Sequence, residues 1–281
     1  MLLPENPALM PTTTTTTERD TSAKMAAASN PVQIEPQDQR FLVLFDFDET
    51  IISENSDDAV IRVLPDQQLP AWLTNSFREG HYNENMQKVL AFMAEQGVSK
   101  ESIHSAVEKI PPTPGFLKLL QFLQSHIQDF ELVVVSDANT YIIQTWLKHA
   151  KVLHLFTKIF TNPGSFNAKG QLVLLPFHSH SCSCCPENMC KQVILQEYLT
   201  DRQMERGGTT FQRVFYIGDG ANDVCPSLVL GPQDIAFTRR NFPMHRLLVG
   251  MQQSAKFKAN IVPWVCGEDI VDCLEKIVKE R

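Results

Sequence analysis

The sequence predicts an α/β fold, a doubly wound parallel sheet with helices on both faces, and three observations predict it. Continuous apolar runs recur at 41–45, 132–135, 214–217 and 235–237. Runs without polar alternation suit strands buried on both faces of a parallel sheet. Between them lie longer stretches with helical spacing, such as Phe116, Leu119, Leu120 and Leu123. Strands that alternate with helices imply right-handed crossovers. Finally, about ninety residues separate the first run from the second, far more than one crossover helix requires.

That long gap carries helical patterns over 69–78, 83–96 and 100–109, with breakers at Pro65, Gly97 and Pro111-Pro112. One helix suffices to return to the sheet, so residues 54–112 are expected to form a helical insert. Loops after a parallel strand lie at the carboxyl edge, where ligands bind, and such an insert would cap the site. Near the C-terminus, Ile270, Val271, Leu274, Ile277 and Val278 share one face of a closing amphipathic helix.

Composition narrows the function classes. The 281 residues include 25 basic and 32 acidic ones, a net charge of −7. Sequence-independent nucleic-acid binding needs clustered Lys and Arg, so nucleic acid is not an expected partner. The apolar fraction of 43% and charged fraction of 20% fit a globular body. No apolar run reaches the roughly 18 residues of a membrane span. Residues 1–39 differ: six threonines follow Pro11, then come Glu18, Arg19 and Asp20 and the stretch Ala26-Ala27-Ala28-Ser29. This composition reads as a disordered tail, with Met25 a second candidate start. Met1-Leu2-Leu3 is interrupted by Pro4 and Glu5, which argues against a secretory signal. Of seven cysteines, Cys182, Cys184, Cys185 and Cys190 crowd together. They do not resemble a spaced disulfide framework, and reduced thiols in a cytosolic setting are expected.

Polar groups follow directly on three of the buried strands. The first run ends in Asp46-Phe47-Asp48-Glu49-Thr50, the second in Ser136-Asp137-Ala138-Asn139, and the third in Gly218-Asp219-Gly220-Ala221-Asn222-Asp223. Taken alone, the first block also reads as an acidic turn in which Asp48 or Thr50 caps a helix. Together the three blocks converge acids on one sheet edge, where they repel unless a cation lies between them. Oxygen-only ligands favour a hard ion, Mg²⁺ above Zn²⁺. Lys191, in a helix expected to begin near Pro186, is the basic candidate to balance a phosphoryl group; Lys169 is the alternative.

In this order, Asp46-x-Asp48-x-Thr50, Ser136 after an apolar strand, a lysine, and Gly218-Asp219-Gly220-x-Asn222-Asp223 resemble the four motifs of the haloacid dehalogenase superfamily of phosphatases. The resemblance runs from about Phe41 to the C-terminus. It is closer still to the phosphoethanolamine/phosphocholine phosphatase group, through Glu54-Asn55-Ser56-Asp57-Asp58, Arg78-Glu79-Gly80, Ser136-Asp137-Ala138-Asn139-Thr140 and Pro243-Met244-His245-Arg246. Glu49 replaces the Gly or Ser more usual in the superfamily and agrees with this narrower group.

The resemblance implies a Rossmann-like core and a small phosphomonoester substrate. It implies that Asp46 attacks phosphorus to form an aspartyl-phosphate. Mg²⁺ would sit on the Asp46 carboxylate, the Asp48 backbone carbonyl and the Asp219 carboxylate. Asp48 would serve as general acid and base. Ser136 would donate to the transferring phosphoryl group, Lys191 would neutralise it, and Asp223, Thr50 and Asn222 would support these groups. A cationic headgroup requires an anion beyond the metal, and Asp57 and Asp137 are the candidates. The resemblance also implies a cytoplasmic enzyme that can be carried in extracellular matrix vesicles. A pyridoxal 5′-phosphate phosphatase shares the same motifs and is the alternative enzyme. A catalytically inactive scaffold is the non-enzyme reading, and zinc on the soft ligands of segment 178–190 a further one. The spacings in that segment follow no standard zinc finger, so packed, reduced cysteines are expected there.

Overall fold

The computed structural model describes residues 40–253 and 256–280; the expected tail over 1–39 lies outside them. The chain begins with β1 (Phe41–Phe45). It continues through α1 (Ser56–Ile61), α2 (Ala71–Thr74), α3 (Tyr82–Glu95), α4 (Lys100–Glu108) and α5 (Phe116–Ser125) to β2 (Phe130–Asn139). Next come α6 (Thr140–His149), β3 (Phe156–Asn162) and a hairpin of β4 (Gly164–Phe166) and β5 (Leu172–Leu174). The remainder is α7 (Lys191–Glu205), β6 (Arg213–Gly218), α8 (Val224–Ser227), β7 (Ile235–Arg239), α9 (Pro243–Gln253), β8 (Asn260–Trp264) and α10 (Gly267–Lys279).

Six strands form one parallel sheet in the order β3-β2-β1-β6-β7-β8. The apolar run of β1 occupies its centre because every one of its side chains is buried. Alternation along the strand divides them between two layers. Phe41, Val43 and Phe45 pack with Phe116 and Leu119 of α5, Trp146 of α6 and Leu274 of α10. Leu42 and Leu44 pack on the other face with Ile194 and Leu195 of α7 and Met244 and Leu248 of α9. The doubly wound architecture expected from the sequence is what these two layers build.

Several local expectations change. The helical pattern over 69–78 shortens to α2, which starts after Pro70 and stops at Asn75. Gly80, at φ +78°, turns the chain into α3. The helix expected near Pro186 begins instead at Lys191, behind an irregular segment. Neither Asp48 nor Thr50 caps a helix. Asn55 does, its side chain accepting from the N–H groups of Asp57 and Asp58 at the start of α1. The two outer strands, β3 and β8, carry exposed or half-buried polar residues and a proline, as sheet edges do. The β4–β5 hairpin packs against α3, where Gln87 donates to the Leu172 carbonyl and accepts from Leu174 N–H at 2.8 Å.

A buried acid ties β2 to α7. Glu131 accepts from the Tyr198 hydroxyl and from Arg202 Nε at 2.8 Å and Nη2 at 2.5 Å, with Arg40 Nη1 at 3.5 Å. Burial pushes this carboxyl up, but the Arg202 and Tyr198 hydrogen bonds and the Arg202 and Arg40 charges outweigh it and leave it lowered. A lowered carboxyl stabilises the fold above its unfolded value, about 4.3, and the contribution is lost as pH falls through the folded value. Glu131→Gln should therefore cost about 2 kcal/mol at pH 7. The gap in Tm between variant and parent, followed by thermal melts, should narrow below about pH 4.

Candidate active site

Strand order fixes which side chains meet. β1 lies between β2 and β6, so their carboxyl ends bring Asp46, the Ser136–Asn139 turn and Asp219 to one edge. Asp46 N–H donates to the Ile217 carbonyl at 2.9 Å, continuing the β1–β6 ladder one step past the strand. After Gly218 the chain turns back, and Asp223 accepts from the N–H groups of Asp219 and Gly220 at 3.1 and 3.0 Å. A side chain at Gly218 would collide with Asp223, its Cβ falling 2.4 Å from a carboxylate oxygen. Only glycine permits so close an approach.

Lys191, the first residue of α7, reaches into this edge. Its ammonium lies 2.9 Å from Asp46 Oδ2 and 2.8 Å from Asp223 Oδ1, and all three groups are buried. The Tyr216 hydroxyl donates to the same Asp223 oxygen at 2.7 Å. Asp46 Oδ1 accepts from Phe47 N–H at 2.7 Å, and Asp219 Oδ1 from the Thr50 hydroxyl at 3.0 Å. Oxygens of Asp46, Asp219 and Asp223 all lie within 4.8 Å of one another.

One lysine is insufficient for three buried acids. Burial and the Asp223 charge hold the Asp46 carboxyl well above its ordinary range against the pull of Lys191. Burial and Asp223 push Asp219 up to about 7, with Thr50 opposing. On Lys191, the lowering effect of burial is outweighed by Asp223 and Asp46, so it stays a cation. The Asp219 Oδ2 atom has no hydrogen bond among the described residues, whereas both Asp223 oxygens are taken by donors. Such a donor set fits a hard cation held by Asp46 and Asp219, with Asp223 orienting Lys191 and the Asp219 loop.

Around this centre the other expected residues take distinct places. Asp48 is half-buried, and its Oδ1 accepts from Ser56 N–H at 2.9 Å. Burial, then the Asp57 charge, push its carboxyl well up against the Ser56 hydrogen bonds, with Asp137 adding to the rise. Ser136 is fully buried where the β2–β3 register shifts between Val135 and Asn139. Asn162 holds that irregular turn by donating to the carbonyls of Asp137 at 2.7 Å and Ala138 at 3.0 Å. Asp137 accepts from Asn222 at 3.1 Å, which links the second and third blocks. Asp57 is buried: Tyr82 of α3 donates to one of its carboxylate oxygens, and the other has no hydrogen-bond partner. Lys169 lies exposed on the turn of the β4–β5 hairpin, and Lys191 is the lysine at the sheet edge. Tyr82, Tyr216 and Asn162 were not singled out in the sequence; they follow no motif, and the fold alone carries them to this edge.

A family model described as Putative Phosphatase matches residues 41–278. The chain belongs to this phosphatase family. The Danio rerio protein named probable phosphatase phospho1 is 53% identical over 243 residues, covering 85% of this chain and 87% of the relative. The Homo sapiens phosphoethanolamine/phosphocholine phosphatase is 46% identical over 242 residues, covering 85% and 90%. The Homo sapiens pyridoxal phosphate phosphatase PHOSPHO2 is 36% identical over 242 residues, covering 86% and 100%. A substrate-bound phosphoserine phosphatase aligns with a TM-score of 0.52 at 16% identity, over 83% of this chain and 98% of that one, and shows the common haloacid dehalogenase-type fold. This phosphatase is accordingly a hydrolase of small phosphomonoesters. Among the described residues no helix is long and apolar enough to cross a membrane.

The acid cluster makes a stability prediction for this phosphatase. Without Lys191, the buried acids would be pushed further up. An acid whose folded pKa exceeds its unfolded one destabilises the fold as pH rises between the two values. Lys191→Met should cost about 3 kcal/mol at neutral pH. Its deficit in Tm against the parent should be larger at pH 8 than at pH 6, as measured by calorimetry.

Proposed function

We propose that this phosphatase hydrolyses phosphoethanolamine and phosphocholine through an aspartyl-phosphate on Asp46. The observation that carries the substrate reading is Asp57. Its carboxylate is buried beside the Tyr82 phenol, and one oxygen is left without a partner. A desolvated, half-satisfied carboxylate is costly unless a cation completes it. Asp57 also acts electrostatically on Asp48, the proposed proton donor, and raises its proton affinity. An ammonium or trimethylammonium two carbons from the leaving oxygen suits that arrangement, with the Tyr82 ring as an additional cation-binding surface. Asp137 adds negative charge from the opposite motif. The relatives named for phosphoethanolamine and phosphocholine support the same reading.

The chemistry then follows from the side chains. An Asp46 oxygen attacks phosphorus, the ester P–O bond breaks, and Asp48 gives its proton to the leaving alkoxide. Asp48, now ionised, takes a proton from a water that attacks the same phosphorus. The P–O bond to Asp46 breaks, phosphate departs, and Asp48 ends protonated as it began. Asp48 suits both roles because burial and neighbouring acids keep its proton affinity high. Lys191 neutralises the phosphoryl oxygens, and Ser136 donates to them. Asp46, the Asp48 carbonyl and Asp219 would hold a Mg²⁺ ion, which would supply charge neutralisation there. Residues 54–112 act as the cap over this edge, joined by the β4–β5 hairpin through Gln87.

Four measurements test the proposal. Asp46→Asn should lower kcat at least about 10³-fold while the fold survives, and EDTA should abolish activity until Mg²⁺ is restored. For the headgroup, KM for phosphocholine is compared with KM for an uncharged aryl phosphate. Asp57→Asn should raise the first about tenfold or more and leave the second within about threefold. Burial pushes the Asp57 carboxyl up to about 6. In the parent, the phosphocholine-to-aryl KM ratio should therefore climb as pH falls below about 6, and Asp57→Asn should remove that dependence. Equal effects on both substrates, with faster hydrolysis of pyridoxal 5′-phosphate, would favour the alternative enzyme.

A further inference from the structure

We propose that Cys182, Cys185, Cys190 and Cys225 form a tetrathiolate zinc site that fastens the segment before α7 to α8. The four sulfurs lie within 4.8 Å of one another, and Cys182 Sγ and Cys225 Sγ are 3.8 Å apart. Four sulfurs at the usual Zn–S bond length of about 2.3 Å stand about 3.8 Å apart at the corners of a regular tetrahedron. A disulfide would bring two of them to about 2.05 Å, and all four are free thiols. The local sequence alone hides this site. Cys182-x-x-Cys185 and Cys190 lie within one loop, but the fourth sulfur comes from α8, more than thirty residues later.

The loop is built around that cluster. No helix or strand forms from 175 to 190, an uncommon length for structureless chain in a compact body. The neighbouring histidines are already engaged. His180 accepts from Cys182 N–H at 3.2 Å and contacts the Pro186 carbonyl at 2.8 Å, and a single neutral tautomer satisfies both. His178 Nε2 accepts from Cys190 N–H at 3.0 Å. Both rings thus brace the backbone of ligand cysteines, leaving sulfur as the donor set. Cys184 is exposed and outside the cluster.

Thiolates select zinc over magnesium, so this site and the acid cluster do not compete for one ion. Binding transfers the ligand thiol protons to solvent and adds no redox step. Cys190 immediately precedes Lys191, and Cys225 follows Asp223 by two positions. A bound ion would therefore join the two segments that supply the buried lysine and its partner carboxylate.

The test uses the full chain, purified without chelator, with zinc measured by elemental mass spectrometry. About one zinc per chain is expected, retained in Cys184→Ser and in Asp219→Asn and lost in Cys225→Ser. Replacing zinc with Co²⁺ in the parent should give the sulfur-to-metal charge-transfer and visible bands of a tetrahedral thiolate site. That readout does not depend on whether Cys225→Ser folds. A zinc-free chain with freely titrating thiols, a disulfide within this set by intact mass, or zinc lost in Asp219→Asn but kept in Cys225→Ser would overturn the proposal.

Discussion

The Lys191 ammonium, held between Asp46 and Asp223, is the interaction on which the rest of this edge depends. Two neighbouring parallel strands end in acids, and burial raises the free energy of each ionised carboxylate. The sheet can close there only if a cation is placed between them. Lys191 occupies the first turn of α7, the wrong end of a helix for a positive charge. It is tolerated because two carboxylates lie within 3 Å and because Tyr216 and two backbone N–H groups hold Asp223 in place. The arrangement leaves more negative than positive charge, the condition that favours a divalent cation at this edge.

That charge balance constrains the backbone as well. The turn after β1 must present Asp46, Asp48 and Thr50 within five residues, and it does so with Glu49 in the left-handed region at φ +51°. A side chain there costs on the order of 1 kcal/mol, which the more usual glycine would avoid. The turn is held from across the sheet instead. Arg239 of β7 donates to the Glu49 carbonyl, and Thr50 donates to Asp219 after β6. The Arg239 guanidinium is in turn packed over Phe242 and Trp264. A local strain at the first motif is therefore supported by contacts that run through three further strands.

Much of this was legible in the chain itself because buried parallel strands write themselves as apolar runs. β1, β2, β6 and β7 are visible for that reason, and so are the polar blocks that terminate β1, β2 and β6. The edge strands β3 and β8 are not. Thr157 and Lys158 of β3 are exposed and β8 contains Pro263 and an exposed Asn260, so each segment lacks the signature of a strand covered on both sides. The helix over 69–78 has a convincing apolar spacing, yet Pro70 and the turn near Gly80 confine it to four residues. At the site, the ionisable residues of the motifs were readable, whereas Tyr82, Asn162, Tyr216 and Cys225 were not. Each acts on a residue distant in sequence or serves a pairing that only the tertiary fold creates.

The division of labour at the carboxyl edge follows from the same physics. In the proposed reaction the acid–lysine centre meets only what all phosphomonoesters share, so it offers little to distinguish one leaving group from another. Discrimination has to come from groups further out, and those lie mainly between β1 and β2. Asp57 illustrates how. Its carboxylate loses hydration inside the protein and recovers only part of it through Tyr82, leaving one oxygen unsatisfied. A neutral leaving group would bury that oxygen more deeply without completing it, adding a desolvation penalty on top of weak contacts. A cationic one removes the penalty and gains an ion pair in a region of low dielectric. Selectivity of this kind arises as much from the penalty imposed on the wrong ligand as from attraction to the right one. The Asp57 charge also raises the proton affinity of Asp48, second only to burial, so the protonated form expected of a proton donor is favoured before any ligand arrives.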